Sequence, residues 1–206
     1  MTELNPQYFD HQMMHRALML ARRGLMTTRP NPAVGCVITS DNKVVGEGWH
    51  HQAGEPHAEV HALRSAGQKA RGATAYVTLE PCSHIGRTPP CCDALIEAGI
   101  KRVVVAMQDP NPRVSGNGIQ RLKEAGISVD VGVLQAAAES LNPGFISRMT
   151  RQRPWVTLKM ATSLDAKTAL SDGRSQWITS SDSRSDVQFF RAQADAILSG
   201  AATILA

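Results

Sequence analysis

Apolar residues recur at helical spacing over residues 8–23, where Phe9, Met13, Ala17, Leu18, Leu20 and Ala21 share one side and Gly24 offers a left-handed stop. A loop fixed by Pro30 and Pro32 follows, and the period then shortens to that of strands. Residues 33–39 and 43–49 predict a hairpin turned at Ser40-Asp41-Asn42. Gly46 and Gly48 in its second strand predict either a bulge or a close approach of another backbone. Residues 57–69 predict a helix with Val60, Leu63 and Ala66 inward, and residues 73–79 a short apolar strand. Further on, helices are predicted at 91–98 and 119–125, stopped by Gly99 and Gly126, with strands at 102–107 and 127–133 and a helix at 134–141. This alternation predicts an α/β domain whose largely parallel sheet is covered on both faces. Ligands of such sheets sit at the carboxyl ends of strands, where Glu80-Pro81-Cys82 and Gln108-Asp109-Pro110-Asn111-Pro112 fall.

Past Asn142-Pro143-Gly144 the pattern weakens. The basic stretch 148–153, ending in Pro154, reads as a linker, followed by a strand at 155–161, a helix at 182–194 and a strand at 196–199. Those elements are too few to bury a core of their own, so the expected division is one full domain over 1–147 and an incomplete one over 148–206. No window approaches eighteen apolar residues and the N-terminus is polar, which predicts a cytoplasmic protein without a membrane span or secretory signal. The formal charge of +4 is scattered rather than clustered, so a phosphorylated small molecule is the expected partner, not nucleic acid.

Three of the four cysteines crowd at positions 82, 91 and 92, which speaks for metal chemistry rather than a disulfide framework, while Cys36 lies in an apolar run and reads as core. His57-Ala58-Glu59 comes first, then a strand, then Pro81-Cys82 and a further cysteine, the order of a zinc nucleobase or nucleoside deaminase. One imidazole and two thiolates suit tetrahedral zinc, and three protein ligands leave its fourth position to water. Glu59, two residues from His57, is placed to move protons without ligating, with both side chains meeting at the helix's N-terminal end. The usual C-x-x-C spacing fails here, because the third residue after Cys82 is Ile85 and eight residues separate Cys82 from Cys91. Cys92 is in helical register with Leu95 and Ile96 and should face the core, leaving Cys91 as the third ligand.

Beyond these motifs, the stretches Asn31-Pro32-Ala33-Val34-Gly35, Thr78-Leu79-Glu80-Pro81-Cys82-Ser83-His84, Gly86-Arg87-Thr88-Pro89-Pro90-Cys91 and Lys159-Met160-Ala161-Thr162-Ser163-Leu164-Asp165 closely resemble the bifunctional deaminase/reductase family of riboflavin biosynthesis, the RibD type. The resemblance covers nearly the whole chain, with the reductase half cut short, and the eight-residue insert between cysteines is a feature of that family. It implies a cytidine-deaminase-like three-layer α/β/α domain followed by the start of a dihydrofolate-reductase-like domain. The implied substrate is 2,5-diamino-6-(5-phosphoribosylamino)pyrimidin-4(3H)-one, deaminated with Zn2+ and Glu59. Asn31 and His50 are implied in the pyrimidine pocket, with His84 and Arg87 contacting substrate, Arg87 at its phosphate. For the reductase part it implies NADPH near Ala161, Trp177 and Thr203, the sugar phosphate near Ser175 and Arg191, and a homodimer or tetramer. Two other readings of the same residues stay open: a zinc deaminase of another base or nucleoside, and a structural zinc module completed by His84, Cys92 or His61.

Overall fold

Helix α1 (Pro6–Ala21) begins where Asn5 accepts a hydrogen bond from the Gln7 amide through its side chain at 3.0 Å. In this computed structural model residues 5–84, 89–112 and 114–205 are described, with the backbone alone at 202 and 203. After α1 come β1 (Gly35–Ser40), β2 (Lys43–Trp49), α2 (Ala58–Ala66), β3 (Thr74–Val77), α3 (Cys91–Glu97), β4 (Arg102–Val105), α4 (Asn117–Glu124), β5 (Ser128–Val131), α5 (Gln135–Leu141) and α6 (Pro143–Arg151). All of these belong to one compact unit, Met1–Trp155.

The strands form a single sheet in the order β2-β1-β3-β4-β5. The hairpin turn has Asp41 and Asn42 at φ 50° and 58°, the twist that two-residue hairpin loops favour. The sheet is mixed where a largely parallel one was expected, since β1 runs antiparallel to both β2 and β3, and only β3, β4 and β5 are mutually parallel. Alternate residues enter two cores. Cys36, Ile38, Ala75, Val77, Val103 and Val105 pack against α2, α3 and α4, while Val37, Tyr76 and Val104 pack against α1 and α5. Burial on both faces explains the unbroken valine run of β4.

Helix α2 keeps part of its expected inward face, with Ala66 buried and Leu63 packed against the core, but its most deeply buried side is the one that carries the alanines. Ala58, Glu59, Ala62 and Ala66 are buried, with Val60 and Leu63 only partly so. The cause is β2: a Cβ on Gly46 would sit 2.3 Å from the Ala62 carbonyl oxygen, and one on Gly48 2.4 Å from that of Ala58. Only glycines facing alanines let the helix backbone lie this close. The register also shifts between Ile38 and Thr39, so the close approach and the bulge both occur.

A buried charge cluster ties α1 to the sheet. Asp10 accepts from the Tyr76 hydroxyl at 2.8 Å and from both terminal nitrogens of Arg102 at 2.9 and 2.7 Å. Burial pushes the Asp10 carboxyl upward, but these hydrogen bonds and the Arg102 charge outweigh it and leave its pKa below the ordinary 3.8. A folded pKa below the unfolded one contributes stability above about pH 4 that is lost as pH falls through the folded value. Asp10→Asn is therefore expected to lower unfolding free energy by about 1.5–3 kcal/mol at neutral pH. The gap to wild type should narrow as the pH is taken down past the ordinary carboxylate range, as urea titrations at neutral and acid pH would show.

The second unit, Val156–Ala206, contains α7 (Ser181–Ala192), capped by the Ser180 hydroxyl accepting from the Ser183 amide at 3.2 Å, and α8 (Ala201–Leu205). The strands expected at 155–161 and 196–199 are not formed among the described residues. A strand needs a neighbour to take up its backbone hydrogen bonds, and no ladder is available to either segment.

Candidate active site

Three chain segments meet at the carboxyl ends of β3 and β4. His57 is the N-cap of α2 in an extended conformation, Cys82 lies five residues beyond β3, and Cys91 is the first residue of α3. The potential ligand atoms of these three residues all lie within 4.8 Å of one another. His57 Nδ1 is 3.2 Å from Cys91 Sγ and 3.6 Å from Cys82 Sγ. Tetrahedral zinc at its usual bond lengths sets such ligand pairs about 3.6–3.8 Å apart, so the trio is sized for that ion. The Cys91 amide donates to Cys82 Sγ at 3.3 Å, an outer contact of the kind that orients thiolate ligands. Cys92 turns away: its thiol points to the carbonyl oxygens of Pro81 and Gly118 at 3.3 and 3.5 Å.

The electrostatics also ask for a cation. A hydrogen bond with the Cys91 thiol draws the Cys82 pKa down despite burial, with His57 helping, while facing that thiolate drives Cys91 up. The hydrogen bond to Cys82 raises His57. Burial, then the charge of Cys82, pushes Glu59 up to about 7. Glu59 is 3% exposed, and its Oε2 is buried without a hydrogen-bond partner. Two sulfurs, an imidazole and a carboxylate this close are poorly matched to one another alone; a divalent ion would resolve the set.

His57, Glu59 and Cys82 border a cavity of about 470 Å³, in the size range of small-molecule sites. Asn31, His50 and His84, all anticipated from the sequence, line it; Arg87 lies outside the described residues. His50 Nδ1 donates to the Pro56 carbonyl at 3.2 Å, so Nε2 is left to accept from the Asn31 amide at 3.1 Å. Burial lowers the His50 pKa and keeps this tautomer neutral. With its NH₂ committed, Asn31 offers the cavity a carbonyl acceptor.

Glu80 explains the remaining wall. Its carboxylate accepts four backbone N–H bonds, from Asp109 and Gly116 at 3.0 Å each, Gly118 at 2.9 Å and Ile119 at 3.2 Å. It thus caps α4, which has no side-chain cap of its own, and fixes the loop whose Asp109 and Asn111 reach the cavity. Gly118 permits the contact, since a Cβ there would lie 2.0 Å from the Pro81 carbonyl oxygen. The sequence marked Glu80 only as part of a motif, because its partners lie 29 to 39 positions away. Also unforeseen are Phe145, Arg148 and Met149 of α6 at the cavity. The basic stretch expected to be a linker is helical through Arg151.

In the second unit Ser175 and Trp177 border a separate cavity of about 430 Å³, and Arg184 stacks over Trp177 at 4.3 Å. Ala161 and the α7 residue Arg191 do not line that cavity, and Thr203 lies in α8 with only its backbone described. Among the described residues, no helix is long and apolar enough to cross a membrane.

Residues 7–107 match the family described as the cytidine and deoxycytidylate deaminase zinc-binding region. Fold and site are those of the zinc-dependent deaminase class. Residues 154–206 match a second family, the RibD C-terminal domain. The riboflavin biosynthesis protein RibD of Escherichia coli (strain K12) is 62% identical over 197 residues, covering 96% of this chain and 54% of that protein. RibD of Acinetobacter baumannii superposes with a TM-score of 0.87 at 55% identity, over 91% of this chain and 53% of that one. A diaminohydroxyphosphoribosylaminopyrimidine deaminase/5-amino-6-(5-phosphoribosylamino)uracil reductase of Thermotoga maritima gives 0.92 at 46% identity, over 98% of this chain and 58% of that one. The chain belongs to the RibD family of riboflavin biosynthesis proteins, and it spans about half the length of the relatives it matches.

Proposed function

We propose that the first unit hydrolytically deaminates 2,5-diamino-6-(5-phosphoribosylamino)pyrimidin-4(3H)-one to 5-amino-6-(5-phosphoribosylamino)uracil, with His57, Cys82 and Cys91 holding zinc. The observation that carries this reading is Glu59, a buried carboxylate with an unpartnered oxygen beside the three metal-binding side chains. When bound, zinc supplies the Lewis acidity that makes a hydroxide nucleophile available at neutral pH. Glu59 takes the proton from the attacking water and gives it to the ring nitrogen beside the carbon that bears the 2-amino group. A second proton passes through the same carboxylate to the amine, the C–N bond breaks, ammonia leaves, and the ring carbon keeps the oxygen. A pKa near neutrality suits a group that must both accept and donate, and a nearby cation moves it toward the ionised, accepting form. Asn31 would accept from a ring N–H or amino group, held in place by the neutral His50. The walls supplied by Glu80 and α6 orient the ring and limit bulk water.

In this reading residues 1–147 are the deaminase domain and 148–206 begin an NADPH-dependent reductase domain. Ala161, Trp177 and Thr203 are assigned there to the nucleotide, and Ser175 and Arg191 to the sugar phosphate. His84 and Arg87 are assigned to the deaminase substrate.

The test is ammonia release by the purified, zinc-loaded chain from the diaminopyrimidine phosphate, with cytidine, deoxycytidylate and guanine as comparators. Release from the diaminopyrimidine phosphate alone is expected. Release from a comparator but not from that compound would overturn the assignment.

A further inference from the structure

Helix α6 sets one guanidinium against the cavity. Phe145, Arg148 and Met149 are spaced i, i+3, i+4 and all three border the cavity that holds His57 and Glu59. Phe145 and Ile146 pack on the core beneath α1, which fixes the rotation of the helix. Ser147, 1% exposed, donates to the Arg153 carbonyl at 2.7 Å and accepts from Arg151 at 3.0 Å, fastening the last turn. Arg151 is further engaged over the Trp155 ring at 5.7 Å. Arg148, by contrast, lines the cavity and has no side-chain partner among the described residues.

Among the described residues, the titratable groups lining this cavity are Glu55, Glu59, Glu80, Asp109 and Cys82, the imidazoles of His50, His57 and His84, and the guanidinium of Arg148. Glu80 is occupied by four backbone amides and cannot serve as a partner for a cation or repel strongly from its capped position. Asp109 accepts from the Asn111 amide at 2.8 Å, so that carboxylate too is engaged by the backbone of its own loop. A pyrimidine is served by Asn31, His50 and Glu59, none of which suits an anion. A phosphate entering the same cavity needs a permanent cation, and a guanidinium offers it two parallel donors.

We propose that Arg148 is a specificity-determining residue that binds the phosphate of the deaminase substrate and makes the cavity select the phosphorylated compound over its dephosphorylated counterpart. This rests on the reading above, that a phosphoribosylamino pyrimidine is the substrate. The alternative employment for an arginine in the last turn of a helix is to complement the helix dipole in solvent, which lysine would do equally well.

The experiment is steady-state ammonia release by the zinc-loaded full chain, wild type, Arg148→Ala and Arg148→Lys, on the phosphorylated compound and on the same compound after phosphatase treatment. Arg148 is exposed, so both variants should fold, and matching circular dichroism and zinc content establish that they have. For Arg148→Ala the KM for the phosphorylated compound should rise about 10- to 100-fold, with kcat changing far less. The kcat/KM ratio between phosphorylated and dephosphorylated compounds should fall by a similar factor, with Arg148→Lys in between. Wild-type selectivity retained by Arg148→Ala would overturn the inference while leaving the deaminase reading intact. A wild type that releases ammonia from neither compound would overturn the deaminase reading and the inference with it.

Discussion

A Glu59→Gln protein is expected to bind zinc as fully as wild type and to release ammonia about 10²- to 10⁴-fold more slowly, the contribution of a positioned general acid–base group. The substitution keeps the volume and shape of a side chain that is 3% exposed against α2 and the sheet, so the fold should survive it. What it removes is the ability to take and return a proton. Glu59 lies in the first turn of α2 beside the N-cap His57, close enough to the two sulfurs for Cys82 and Cys91 to perturb it. Rate and metal content must be read together. A slow variant with one zinc per chain assigns Glu59 to proton transfer, whereas a slow variant without zinc would make it a ligand or a structural support.

Removing a sulfur should be as damaging for a different reason. In Cys82→Ala only His57 and Cys91 remain to hold the ion, and the Cys91 amide loses the acceptor it has at 3.3 Å. Activity is expected to fall below detection and bound zinc to be lost. A ligand that binds only the native state adds about 2.7 kcal/mol when free ligand exceeds Kd a hundredfold. For a chain of this size that corresponds to a melting temperature lower by roughly 5–10 °C for the variant in zinc-containing buffer. Thermal melts with and without a chelator check this, because the chelator should lower the wild type and leave Cys82→Ala where it is.

Periodicity carried the first unit well where burial is one-sided or a turn is chemically marked. The hairpin could be read from Asp41 and Asn42, and the helices at 91–98 and 119–125 from the glycines behind them, because those signals are local. The inward face of α2 could be read only in part, at Leu63 and Ala66. Val60 and Leu63 are its larger apolar residues, yet the fully buried positions are Ala58 and Ala62, since Gly46 and Gly48 bring the backbones together. The antiparallel pairing of β1 with β3 was equally hidden, as strand order is decided by packing rather than by either segment. In the second unit, apolar runs at 155–161 and 196–199 met no strand to pair with. At the site, spacing picked out the three residues whose donor atoms lie within 4.8 Å, because metal chemistry restricts residue types so narrowly. The four amides that bind Glu80 and the α6 wall left no such mark: backbone donors have no sequence identity, and a basic stretch after Pro143 looks the same whether it links or packs.

Zinc per chain, measured by elemental analysis on purified Cys91→Ala and Cys92→Ala proteins beside wild type, tests the metal centre most directly. The geometry has Cys91 Sγ beside His57 and Cys92 Sγ against the Pro81 and Gly118 carbonyls. One zinc in wild type and in Cys92→Ala, with none in Cys91→Ala, is the expected result. Zinc kept by Cys91→Ala and lost from Cys92→Ala would contradict it.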